Sequence, residues 1–129
     1  MTEIVKAAQE AMERAYAPYS NFSVGAAVRG RSGRIYSGCN IENAAYPQGW
    51  CAEVSAISAM IMAGEREIVE VAVAGGGGEL CTPCGGCRQR FREFANADLP
   101  IHVCGPEGVR LTTTLGDLLP HSFGPENLK

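Results

Sequence analysis

Three of the six cysteines in this 129-residue chain fall within seven residues, at 81, 84 and 87; the others stand apart at 39, 51 and 104. Small disulfide scaffolds spread their cysteines to staple distant loops. Crowding of this kind points instead to a metal held by a folded core. The length suits one domain, expected to span 1–129, and such a domain buries roughly two-thirds of its unfolded surface. With 46% hydrophobic and 19% charged residues, the chain shows no disordered or low-complexity tract. Eleven Lys and Arg against 14 Asp and Glu leave a net charge of -3, which argues against an electrostatic grip on nucleic acid. No apolar run approaches the ~18 residues of a membrane helix. The start, Met1-Thr2-Glu3-Ile4-Val5-Lys6, lacks the layout of a signal peptide. A soluble, cytoplasmic protein with reduced thiols and neither nucleic acid nor membrane as partner is expected.

Residues 3 to 16 place Ile4, Val5, Ala8, Met12, Ala15 and Tyr16 on one helical stripe, stopped by Pro18. Phe22 to Val28 and Ile35 to Cys39 read as strands around a turn at 29–34. Residues 40 to 50 read as loop. Cys51 to Ala63 is apolar on nearly all sides, predicting a buried helix closed by Gly64. Ile68 to Ala74 has the unbroken β-branched character of a central strand. Thr82, as N-cap, and Pro83 predict a helix running to about Ala95. Ile101 to Cys104 and Val109 to Thr113 are short strand candidates before a C-terminal loop. Strands flanking two central helices imply a layered α/β domain.

Cys84-Gly85-Gly86-Cys87 puts two thiols on one face at a helix start, where backbone amides favour thiolate. A second helix start carries Cys51-Ala52-Glu53. Three thiolates fall one short of a closed structural zinc site; three ligands plus an open position is the catalytic arrangement. Glu53 is placed to handle the protons of a water there. A redox dithiol lacks its aromatic context. An iron–sulfur run would need Cys where Phe91 stands. Cys39 and Cys104 read as small buried hydrophobes and Cys81 as structural. Gly75 to Gly78 lacks the Lys-Ser/Thr of a phosphate loop. His102 and His121 read as ordinary structural or solvated residues.

Cys51-Ala52-Glu53 followed by Pro83-Cys84-Gly85-Gly86-Cys87-Arg88-Gln89 resembles the zinc signature of the cytidine deaminases. Pro18 to Ala27, Gly38 to Pro47 and Leu118 to Pro125 are similar to further stretches of that family, so the likeness covers roughly residues 18 to 125. It implies a three-layer α/β/α domain with a mixed sheet of about five strands. It also implies a homotetramer with shared active sites and one Zn2+ per subunit on Cys51, Cys84 and Cys87. The implied reaction is hydrolytic deamination of cytidine and 2'-deoxycytidine, in pyrimidine salvage. Glu53 would move a proton from water to N3 of the base and then help protonate the leaving amino group; Gln could not do this. By the same resemblance Phe22 would pack on the pyrimidine and Asn40 and Glu42 would bond the ribose 3'-hydroxyl. The Ala52 N–H would hold the base carbonyl, the Thr82 carbonyl would accept the amino group, and Phe123 would reach a neighbouring subunit's site.

One position departs from the family's pattern. Relatives commonly carry Arg directly after the catalytic Glu, where this chain has Val54. Three thiolates on Zn2+ carry a net -1, and Arg88 and the two helix N-termini are the expected compensators. Three other readings share parts of these features. A blasticidin S deaminase would keep the zinc signature and tolerate Val54 but not the Asn40-Ile41-Glu42-Asn43 segment. A polynucleotide editor would want a basic surface. A non-catalytic zinc module would have no use for Glu53.

Overall fold

The computed structural model describes residues 2–129; Met1, counted in the expected domain, lies outside the described residues. Strands β1 (Val24–Gly30), β2 (Ile35–Cys39), β3 (Ile68–Gly75), β4 (Pro100–Gly105) and β5 (Gly108–Thr114) form one sheet in the order β2-β1-β3-β4-β5. The β3–β4 pair is parallel and the others antiparallel. The apolar run of β3 takes the central position, and its side chains alternate between two layers. Ala72 and Ala74 face α1 (Glu3–Met12), which buries Ile4, Val5 and Ala8 there. Val71 and Val73 face the opposite layer, where Ala56 and Met60 of α2 (Ala52–Met62) and Phe91 of α3 (Gly85–Phe94) complete the larger core. The result is the expected α/β/α arrangement with a mixed five-stranded sheet.

Close packing of β2 under α2 fixes the height of the site. A Cβ placed on Gly38 would lie 2.5 Å from the Ser55 Cβ and 2.6 Å from the Ala56 nitrogen, so the strand can run there only with glycine. The Ser55 hydroxyl donates to the carbonyls of Cys39, at 3.2 Å, and of Cys51, at 3.1 Å. The end of β2 is thereby tied to the start of α2.

Several boundaries differ from the sequence expectation. Helix α1 stops at Met12, not residue 16, because Tyr16 leaves the helix to pair with residues 40–42. Its N–H donates to the Asn40 carbonyl at 3.0 Å, and the Glu42 N–H donates to the Tyr16 carbonyl at 2.8 Å. Ile41 and Trp50 exchange two backbone hydrogen bonds of 2.9 Å, so the expected loop is pinned at both ends around a 3-10 turn at Tyr46–Gln48. Strand β1 begins at Val24 and leaves Phe22 outside it. Helix α3 begins at Gly85 with Cys84 as its extended N-cap residue, two positions later than Thr82. Pro83 instead turns its carbonyl to the Arg88 Nε at 2.6 Å. A helical turn, α4 (Leu115–Leu118), replaces part of the expected C-terminal loop, with the Thr114 hydroxyl accepting from the Asp117 N–H. Helix α2 is buried on its sheet side only: Met62 is 84% exposed and Val54 is half-buried.

Candidate active site

The starts of α2 and α3 converge on one point. Cys51 is the N-cap residue of α2, Cys84 that of α3, and Cys87 lies in the first turn of α3. Their three sulfurs lie within 4.8 Å of one another. A tetrahedral ion with bonds of about 2.3 Å could span them with slight closing. The thiols' charge balance fits a divalent cation as well. Backbone N–H groups of Cys87 and Gly86 hold the Cys84 thiol below its ordinary range, the former being the larger effect and burial opposing both. Burial pushes the Cys51 thiol up, with Glu53 and Cys84 adding to the effect. The fully buried Cys87 is pushed up further, by burial and then by Glu53, Cys51 and Cys84. Three sulfurs packed this closely can all be ionised only with a cation among them.

Glu53 follows Cys51 in the first turn of α2 and is the buried charged residue of the core, 6% exposed. Burial pushes its carboxyl up, opposed by its own backbone amide, Cys87 and Arg90. It lines a 210 Å³ cavity with Asn40, Cys51, Ala52, Thr82 and Cys84. Cys81 and Val24 complete that lining. Cys81, expected to be structural, is half-buried and lines the cavity shared with Glu53. Gly75 makes room for it, since a Cβ there would come within 2.5 Å of the Cys81 Cβ and 3.3 Å of the Phe22 ring.

Phe22 therefore stands over the glycine stretch beside the cavity, 42% exposed. The Asn40 amide ties its surroundings together: Oδ1 accepts from the Val24 N–H and Nδ2 donates to the Phe22 carbonyl, each at 2.9 Å. Glu42 lines a neighbouring 350 Å³ cavity with Tyr19, Ser20, Asn43, Tyr46 and Gly49. Its carboxylate accepts from the N–H groups of Tyr19, at 2.9 Å, and Ser20, at 3.1 Å, and from the Ser20 hydroxyl. Those bonds, the Ser20 hydroxyl first, hold it below the usual carboxylate range. Phe123 is 57% exposed, and its carbonyl accepts from Gln89 Nε2 of α3 at 2.9 Å.

The arginine that hydrogen-bonds the cluster is Arg90, not Arg88. Arg88 directs its guanidinium away from the cluster, to the Pro83 carbonyl at 2.6 Å, the Leu118 carbonyl at 2.8 Å and the Thr82 hydroxyl at 3.3 Å. Arg90 donates to the Cys87 sulfur at 3.8 Å. No sequence expectation attaches to Arg90, although its spacing of three from Cys87 puts the two on one helix face. Of the residues set aside, Cys104 is buried as expected, while Cys39 is only half-buried. His102 bridges Thr112 and Glu70 on the sheet, at 2.9 and 2.7 Å, and His121 is exposed. Among the described residues no helix is long and apolar enough to cross a membrane.

Comparison with known proteins gives a consistent result. The family model of the cytidine and deoxycytidylate deaminase zinc-binding region matches residues 1–103. A cytidine deaminase of Sporosarcina psychrophila is 40% identical over 126 residues, covering 98% of this chain and 93% of that one. One from Mycobacterium tuberculosis is 39% identical, covering 94% and 87%. The crystal structure of a cytidine deaminase from Burkholderia pseudomallei superposes with a TM-score of 0.88 at 41% identity, covering 95% of this chain and 100% of that one.

Proposed function

This chain belongs to the cytidine and deoxycytidylate deaminase family, and on that premise we propose that it hydrolyses cytidine and 2'-deoxycytidine to the corresponding uridines with release of ammonia. The observation that carries this reading is the buried Glu53 carboxyl, which shares a cavity with two of the three clustered thiols. A metal-only folding module has no need of a buried carboxylate there, and the Asn40-Ile41-Glu42-Asn43 segment argues against a blasticidin-type substrate.

Cys51, Cys84 and Cys87 would hold one zinc ion, whose chemistry when bound would be to make hydroxide available from water near neutral pH. Glu53 takes the proton of the attacking water, delivers it to N3 of the cytosine and then helps protonate the amino group. The water's oxygen ends as the new carbonyl at C4 and the nitrogen leaves as ammonia. The Ala52 N–H, an unsatisfied amide of the first turn of α2, holds the base carbonyl. The Thr82 carbonyl accepts the amino group, and Phe22 packs against the ring. Asn40 and Glu42, two apart in extended chain, hydrogen-bond the ribose 3'-hydroxyl and bridge the two cavities. Glu42 is held in place for that role by Tyr19 and Ser20.

We also read residues 1–129 as one domain that acts as a homotetramer in the cytoplasm, in pyrimidine salvage. The single sheet supports the first point and six free cysteines the compartment. Support for association comes from the exposed Tyr16, Ile41, Tyr46, Trp50 and Met62, and from Phe123, which would enter a neighbour's site. Zinc-loaded protein mixed with cytidine should release ammonia and uridine in equal amounts. A folded, zinc-bound chain that releases neither overturns the reading.

A further inference from the structure

Arg90 lies on α3 three residues beyond Cys87, on the same helix face. Its Nη1 donates to the Cys87 sulfur at 3.8 Å. Among the described residues it is the one cationic side chain that hydrogen-bonds a thiol of the cluster. The approach is tight: a Cβ on Gly86 would stand 3.3 Å from that nitrogen. Arg88, one residue from Cys87, is committed to Pro83, Leu118 and Thr82. The residue after Glu53 is the uncharged Val54, and Val54 and Arg90 line the same 460 Å³ groove between α2 and α3, with Trp50 and Phe94.

Charge gives this arrangement a purpose. Three thiolates around a divalent ion leave an excess negative charge, and the Glu53 carboxylate adds another close by. Each helix N-terminus offsets roughly half a charge. A guanidinium on Cys87 adds a full one, placed against the excess negative charge that the metal complex would carry.

We propose that Arg90 is a positioning residue of the metal centre, whose guanidinium on Cys87 stabilises the three-thiolate zinc complex and sets how tightly this chain holds the ion. The proposal rests on the reading of Cys51, Cys84 and Cys87 as zinc ligands.

Zinc affinity measured by competition with a chromophoric chelator at fixed pH tests it without reference to turnover. Arg90→Gln should weaken zinc binding about 10- to 100-fold, the usual scale for partners of metal ligands. Arg90→Lys, which keeps the charge, should recover part of the loss. Adding Val54→Arg to Arg90→Gln should also recover affinity, because position 54 opens on the same groove. Far-UV circular dichroism of the metal-free variants checks that each is folded, and Arg90 is exposed enough for both substitutions to be accommodated. Wild-type affinity in Arg90→Gln overturns the proposal. So does an Arg90→Lys no tighter than Arg90→Gln, or a double variant no tighter than Arg90→Gln. A wild-type chain that takes up no zinc overturns the underlying metal reading instead, which separates the two failures.

Discussion

Cys81 and Cys87 show how little a residue type says about its role until its backbone is placed. Both are cysteines near the start of α3, and both lie close to Glu53. Only Cys87 has its sulfur in the cluster; Cys81 lies in the connection before the helix and lines the cavity. Cys87→Ala should therefore lose the one zinc per chain and all turnover, while Cys81→Ala should keep its zinc, as measured by atomic absorption on dialysed protein. Loss of zinc from both would make Cys81 a ligand. The Cys84–Cys87 pair was legible in the sequence because a spacing of three at a helix start brings two thiols together whatever the helix packs on, and Cys51 joined them through the likeness to the family's zinc signature. The spacing of three also puts Arg90 on the Cys87 face, but whether a long guanidinium turns to the thiol or to solvent is visible only in the structure. The partners of Glu42 were hidden for a related reason: Tyr19 and Ser20 are brought to it by the early end of α1, which no local pattern signals.

At the scale of elements, the contact of β2 with α2 and the clasp on the β1–β2 hairpin are the places to probe. Gly38→Ala would drive a Cβ into Ser55 and Ala56. Overpacking of this kind costs typically ~1–3 kcal/mol, to be read as a fall in the urea midpoint. Because Cys51 and Glu53 ride on that helix, kcat should fall too; an unchanged midpoint would mean that β2 can move away freely. The hairpin turn is held by Glu65, whose carboxylate accepts from the Ser32 N–H at 3.0 Å, the Ser32 hydroxyl at 2.7 Å and the Tyr36 hydroxyl. These bonds, Tyr36 first, hold its carboxyl below the ordinary range. Folded-state depression means that the stabilisation is full above the unfolded value of about 4.3 and is lost as pH falls through the lower folded value. The Tm gap between wild type and Glu65→Gln should accordingly be constant near neutral pH and close in acid. A gap that persists unchanged in acid would assign the effect to shape, not charge. Strand and helix order were readable from periodicity, helix-start residues and one β-branched run. The clasp was not, since Glu65 meets Ser32 and Tyr36 only once the sheet has formed.

For the whole molecule, the apolar character of α2 carried two meanings that periodicity could not separate. A helix greasy on nearly all sides is either sunk in its own core or shared with another chain. In this chain the sheet side is core, while Val54 opens on a groove with Trp50 and Met62 is exposed at the far end of the helix. Light scattering should give a particle about four times the 13.7 kDa chain mass, and Phe123→Ala should slow turnover at sites of the neighbouring subunit. A fully active monomer would contradict the shared-site reading. The account depends above all on Glu53 carrying protons at a metal-filled cluster, since fold and ligands alone would also serve an inert module. Ammonia release from cytidine by wild type and by Glu53→Gln, compared at equal zinc content, tests this most directly. The account predicts one zinc per chain in both and a loss in kcat of at least about 10²–10⁴-fold in the Gln variant. A zinc-filled Glu53→Gln that turns over like wild type would contradict it.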